Sequence, residues 1–138
     1  MSIDEPGWVD GPGGGGRFAV FPLGEGDHDP LVVVVEYAAD TEIGVHAHAS
    51  DYWSMVVSGR VEVTRRHEEV GSIRHVRAGT AYGPLVIGPE GATVVEVFAD
   101  RTTFSAPDYL AASDREAAAA SPMPELARRA IAAVWATR

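Results

Sequence analysis

Between Arg17 and Ala99 the apolar positions fall in short β-branched runs, each closed by Gly, Pro or Asp, a texture that predicts strands. Eight are predicted: Arg17–Phe21, Leu31–Tyr37, Ile43–His48, Tyr52–Val57, Arg60–His67, Ser72–Arg77, Ala81–Ile87 and Ala92–Ala99. Turn signals at Ser58-Gly59, Gly71, Ala78-Gly79 and Pro89-Glu90-Gly91 separate them. Strands this short and this evenly spaced favour an all-β antiparallel sandwich or barrel over βαβ units. Val32 to Val35 is apolar at successive positions, so that strand should be buried on both sides or sit in a dimer interface.

The pattern changes on either side of this block. Residues 1–16 are dominated by Gly and Pro, which cannot bury enough apolar surface to offset their ordering entropy, and are expected to form a flexible arm. After Asp100 the chain turns Ala-rich. Ser121-Pro122-Met123-Pro124-Glu125 supplies a cap, an early Pro and a first-turn carboxylate, after which Leu126, Ala130, Ile131, Val134 and Trp135 recur at helical spacing. The apolar stripe of this helix should pack on the barrel or on a partner subunit, with Arg128 and Arg129 on its solvated face. A shorter helix is expected within 108–120. The organisation read from the sequence is therefore an arm (1–16), a β-barrel (17–100) and a helical extension (101–138).

Composition narrows the chemistry. The 138 residues contain no Cys, Lys, Asn or Gln, and all eleven basic residues are Arg. Without Lys there is no Schiff-base chemistry and no phosphate-loop lysine; without Cys there is no thiol nucleophile, disulfide or thiolate-bound metal. A net charge of −9 opposes phosphate backbones and anionic lipid, so neither nucleic acid nor a membrane is expected as a partner. The acidic start lacks the basic and apolar regions of a signal peptide, and no apolar run approaches the roughly 20 residues of a membrane helix, so a cytoplasmic location is expected. Arg in place of Lys, with abundant Ala, Gly and Val, suggests a bacterial genome of high GC content.

His, carboxylate, Tyr, Ser and Arg remain. In a strand, residues two apart share a face, so His46 and His48 present two imidazoles side by side, the simplest way for a sheet to offer paired metal ligands or paired bases. Glu36 and Glu96 each interrupt an apolar strand, and either could add a carboxylate. Such a set would suit Fe, Mn, Ni or Zn. Tyr52 and Tyr82 are candidate proton donors. Trp53, Phe98, Glu96 and His75 are expected to line a ligand pocket, whereas His28 and His67 sit in polar turns and should be exposed.

The segment Gly44 to Gly59 resembles the first motif of the cupin superfamily, an HxH pair followed by Glu four residues on and, after six more residues, a Gly turn. His46, His48 and Gly59 match, with Tyr52 in the Glu position. The second motif is matched in part by Gly79 and Pro84, while its His falls at Gly88 or Pro89 and its Asn has no counterpart. The resemblance covers roughly residues 30 to 100. It implies a small antiparallel barrel, often dimeric, that holds a metal or a small organic ligand in its interior. It further implies a small-molecule-converting enzyme of oxygenase, isomerase, cyclase or lyase type, such as a natural-product tailoring enzyme, or else a non-catalytic sensing module. As an enzyme it would act through His46 and His48, either around a divalent metal or, without one, as acid–base residues with Tyr52 and Tyr82.

Overall fold

The computed structural model describes residues 7–136. Ten strands, β1 (Val9–Asp10), β2 (Gly16–Pro22), β3 (Leu31–Tyr37), β4 (Glu42–Ile43), β5 (His46–Ala47), β6 (Tyr52–Val63), β7 (Arg66–Glu68), β8 (Ile73–Val76), β9 (Leu85–Phe98) and β10 (Asp108–Tyr109), precede two helices, α1 (Ala112–Ala120) and α2 (Met123–Ala136). The main sheet runs β1-β2-β3-β9-β6-β7, with β4 on β9 and β8 on β6, all antiparallel, and β10 pairs with β5 in a small second sheet. This is the predicted antiparallel β architecture with a C-terminal helix.

Two pairs of predicted strands are each one long strand. Gly59 does not turn the chain back. It sits inside β6 with φ +72, where the β6–β9 register slips, and a Cβ there would come within 2.0 Å of the Gly91 carbonyl oxygen. The residue therefore bends the strand at a bulge. Pro89 is tolerated inside β9 because the ladder passes from Gly59↔Ala92 directly to Val61↔Ile87, so no cross-strand bond is asked of residues 88–91.

The N-terminal segment also differs from its expectation. Val9–Asp10 pairs with Phe18 and Arg17, and Gly11 donates its N–H to Gly16, so this part of the expected arm is an edge of the sheet. Residues 1–6, and 137–138 of the extension, lie outside the described residues. The extension is not purely helical either: a 3-10 turn at Arg101–Thr103 and strand β10 come before α1.

Inward positions follow the period of two. Val20, Leu31, Val33, Val35, Tyr52, Val76 and Phe98 form one core cluster, closed by Val134, Leu126, Ala130 and Ile131 of α2. The apolar stripe of α2 thus packs on its own barrel, and Arg128 and Arg129 face outward onto Glu125. Val56, Val61, Val63, Leu85, Ile87, Ala92 and Val94 fill the other end. Among the described residues no helix is long and apolar enough to cross a membrane.

Candidate functional site

Between the two core clusters lies a cavity of about 540 Å³, and the polar residues of the barrel interior converge on it. His46 and His48 reach it from β5 and the residues just after. The backbone of His46 is held on both sides, by β10 and by a two-bond bridge to Tyr82 (3.0 Å each way). Alternation then turns both imidazoles inward, with ring centroids 5.1 Å apart, and the two residues are 5% and 6% exposed.

Each ring has its tautomer set by a carbonyl. His46 Nδ1–H donates to Gly44 O (2.8 Å) and His48 Nδ1–H donates to Thr103 O (2.7 Å). A carbonyl can only accept, so in the neutral ring Nε2 carries the lone pair. Burial depresses both pKa values against the opposing pull of these carbonyls, and His48 is pushed down to about 4. His48 is therefore neutral at pH 7, and the His46 equilibrium is shifted in the same direction. They differ in what Nε2 meets. That of His46 accepts from the Tyr82 hydroxyl (3.0 Å), which accepts in turn from Tyr52. That of His48 has no hydrogen-bond partner among the described residues. Its ring stands between Tyr52 and Phe98, at 5.1 and 5.0 Å. Burial raises the pKa of both tyrosines strongly, so they remain protonated donors.

The cavity wall opposite is polar along a single cross-strand row. The register places Val33, Glu96, Ser54 and Arg74 side by side on β3, β9, β6 and β8, one step from the apolar row Leu31, Phe98, Tyr52 and Val76. Glu96 is 9% exposed, and desolvation raises its pKa to about 7 although Arg74 pulls the other way. The Arg74 guanidinium lies over the Tyr82 ring, 4.8 Å from its centroid. Tyr109, delivered by β10, packs 5.3 Å from His46.

His46, His48, Tyr82, Glu96 and Phe98 therefore meet around one cavity. Tyr52 is close but stands behind Tyr82, buried, and acts on the cavity through that hydroxyl. Trp53 and His75 do not belong to the site. Each follows or precedes an inward residue, so both point outward, where they stack at 4.7 Å, Trp53 is 52% exposed and His75 bonds Asp51. Glu36 is outward too, paired with Arg17 at 2.6 Å. His28 and His67 are exposed, as expected.

Sequence reasoning missed Ser54, Arg74, Tyr109 and Thr103. The only available signal for Arg74 was its parity with Val76, the apolar residue two positions on. Tyr109 lies in a two-residue strand with no periodicity to read.

The donors do not make a metal centre. Among the described residues no three His, Asp or Glu are grouped to hold an ion, and the His46 Nε2 lone pair is already engaged by Tyr82. Glu96 does not supply the third ligand anticipated from its place in the strand.

No protein-family model matches the chain, and no curated protein matches it. Solved structures do. An RmlC-like cupin from Shewanella frigidimarina superposes with TM-score 0.59 at 20% identity, over 71% of this chain and 86% of that one. KdgF from Halomonas sp. gives 0.57 at 19%, over 72% and 91%. An RmlC-like cupin from Ralstonia eutropha gives 0.64 at 15%, over 83% and 73%. The fold is that of the cupins. Within that fold this chain has its two-histidine strand in place, with the Tyr52 phenol at the position where the first motif carries a carboxylate.

Proposed function

We propose that this cupin catalyses proton transfer on a small organic molecule bound in the barrel, with His48 as the base and Glu96 as the acid, and without a metal. One observation carries the reading: two titratable groups facing the same cavity have been pushed apart, the imidazole holding its lone pair free down to about pH 4 and the carboxyl keeping its proton up to about pH 7. Environments that separate pKa values in this way assign acid and base roles. His48 Nε2 takes a proton from the substrate, and Glu96 returns one to the atom where negative charge collects. Tyr82, donating its one proton to His46 and accepting from Tyr52, keeps the second imidazole fixed. Isomerisation, cyclisation and elimination all reduce to this pair of transfers.

Enolisable carbonyl compounds incubated with the protein in D2O test the reading, with deuterium entry at carbon followed by NMR. His48→Asn keeps a donor for the Thr103 carbonyl and removes Nε2. We expect wild-type exchange above the buffer rate and a loss of about a hundredfold in the variant. Equal exchange in both proteins would leave only a binding module.

We also propose that a second copy of the chain covers the outer face of the sheet. Val34, Val95, Met55 and Ile73 lie in register there, next to Val32, Val97 and Trp53. The flanking charges are already paired, Arg17 with Glu36 and His75 with Asp51. A belt with its charges satisfied at the margins suits a self-complementary twofold contact. Light scattering should give twice 14.6 kDa for the wild type and 14.6 kDa for Met55→Glu; a wild-type monomer contradicts the proposal.

A further inference from the structure

Arg74 is the one lysine or arginine side chain on the cavity lining among the described residues, and none of the cavity's carboxylates lies within ion-pair distance of it. No ion pair involves it. Its Nε and Nη1 are shut off from solvent without a hydrogen-bond partner. Buried cationic donors left in this state are costly, and folded proteins almost always supply them with a carbonyl or a carboxylate. The nearest candidate in the sheet, Glu96, lies two strands away across Ser54. What Arg74 has is the face of Tyr82 on one side and the cavity on the other. A cation–π contact holds a guanidinium in orientation without neutralising it.

We propose that Arg74 anchors the ligand through a carboxylate, so that this cavity selects small monocarboxylic acids. The proposal rests on the reading of the cavity as a small-molecule site and names the class of molecule. Several features favour a single negative charge. Glu42, Glu68, Glu96 and Asp114 also line the cavity, so one guanidinium can balance a carboxylate but not a doubly charged phosphate ester. The rest of the wall, including Val56, Val94, Phe98 and Leu85, is apolar and fits a carbon skeleton. A carboxylate on Arg74 sits beside Tyr82, whose ring the guanidinium covers and whose hydroxyl bonds His46, so the atoms next to the carboxylate are brought toward the histidine pair and, across Ser54, toward Glu96.

Benzoate and benzamide share a shape and differ in charge, which makes them suitable probes. Titration calorimetry on the wild type should show benzoate bound at least about tenfold more tightly than benzamide. That preference should vanish in Arg74→Gln and persist in His48→Asn, while Glu96→Gln, which removes the competing carboxylate and leaves the cation, should strengthen benzoate binding severalfold at pH 8. Wild-type protein that binds the two equally, or does not bind benzoate, overturns the proposal, as does a preference that survives Arg74→Gln. If Arg74→Gln does not fold, the Glu96→Gln result decides: weaker or unchanged benzoate binding overturns it. Because binding is read without turnover, benzoate selection in a protein inactive in deuterium exchange would refute the catalytic reading alone, and active protein indifferent to benzoate would refute this one alone.

Discussion

Glu96→Gln stabilises the protein by about 3 kcal/mol at pH 8 and leaves it nearly unchanged at pH 4. The reason is the mismatch between the folded protein, where this carboxyl titrates near 7, and the unfolded chain, where it returns to the ordinary 4.5. A raised folded pKa means that the native state binds the proton more tightly than the unfolded state does. Wild-type stability therefore falls as pH rises from 4.5 to 7, and at 1.36 kcal/mol per pH unit the loss approaches 3 kcal/mol above that window. Gln has nearly the same shape and no charge, so it escapes the loss. Thermal melts should read a gain of about 10 °C at pH 8. Equal melting temperatures at pH 8 would show that Glu96 is an ordinary carboxylate.

His48→Asn removes an opposite loss on the acid side. The imidazole titrates at about 4 when folded and near 6.5 when unfolded, so here the unfolded state binds the proton more tightly. Stability is intact above 6.5 and falls as pH drops toward 4, by about 3 kcal/mol from this residue alone. Asn can still donate to the Thr103 carbonyl, which separates the ionisation from the structural hydrogen bond. Melts at pH 7 and pH 4 should therefore lie about 10 °C closer together in the variant than in the wild type. Asp51 and Asp100 also have depressed pKa values, through their hydrogen bonds with Ala78 and Thr102, and contribute to acid sensitivity in both proteins, so the difference between the two proteins is the quantity to read.

The two residues penalised in these opposite windows are the ones assigned to chemistry. A core built only for stability would hold Leu or Phe in their places, as it does in the neighbouring row of Leu31, Phe98 and Val76.

The barrel was legible because its inward positions obey strand alternation with few exceptions, and the His46 and His48 pair was legible for the same reason. Turn chemistry alone makes the strands too short: Gly59 and Pro89 are strong turn residues, but bulges use the same φ freedom and the same missing N–H. Assigning Trp53 to the pocket alongside Tyr52 conflicts with alternation itself, since adjacent residues on a strand cannot face the same side. In β8 the difficulty was chemical. Ile73 and Val76 are both apolar yet lie on opposite faces, and a cavity wall that carries Arg74 reverses the usual guide that polar means outward. Tyr109 and Thr103 reach the site from beyond residue 100, through tertiary pairing that no local pattern encodes.

Nuclear magnetic resonance measures, residue by residue, whether one cavity holds a neutral imidazole and a protonated carboxyl together. With side-chain ¹³C labelling of glutamate and ¹⁵N labelling of histidine, a titration from pH 3 to pH 9 should show Glu96 changing ionisation near pH 7 and His48 remaining neutral, with its proton on Nδ1, down to about pH 4. A Glu96 midpoint in the ordinary carboxylate range, together with a His48 midpoint near 6.5, would contradict the account.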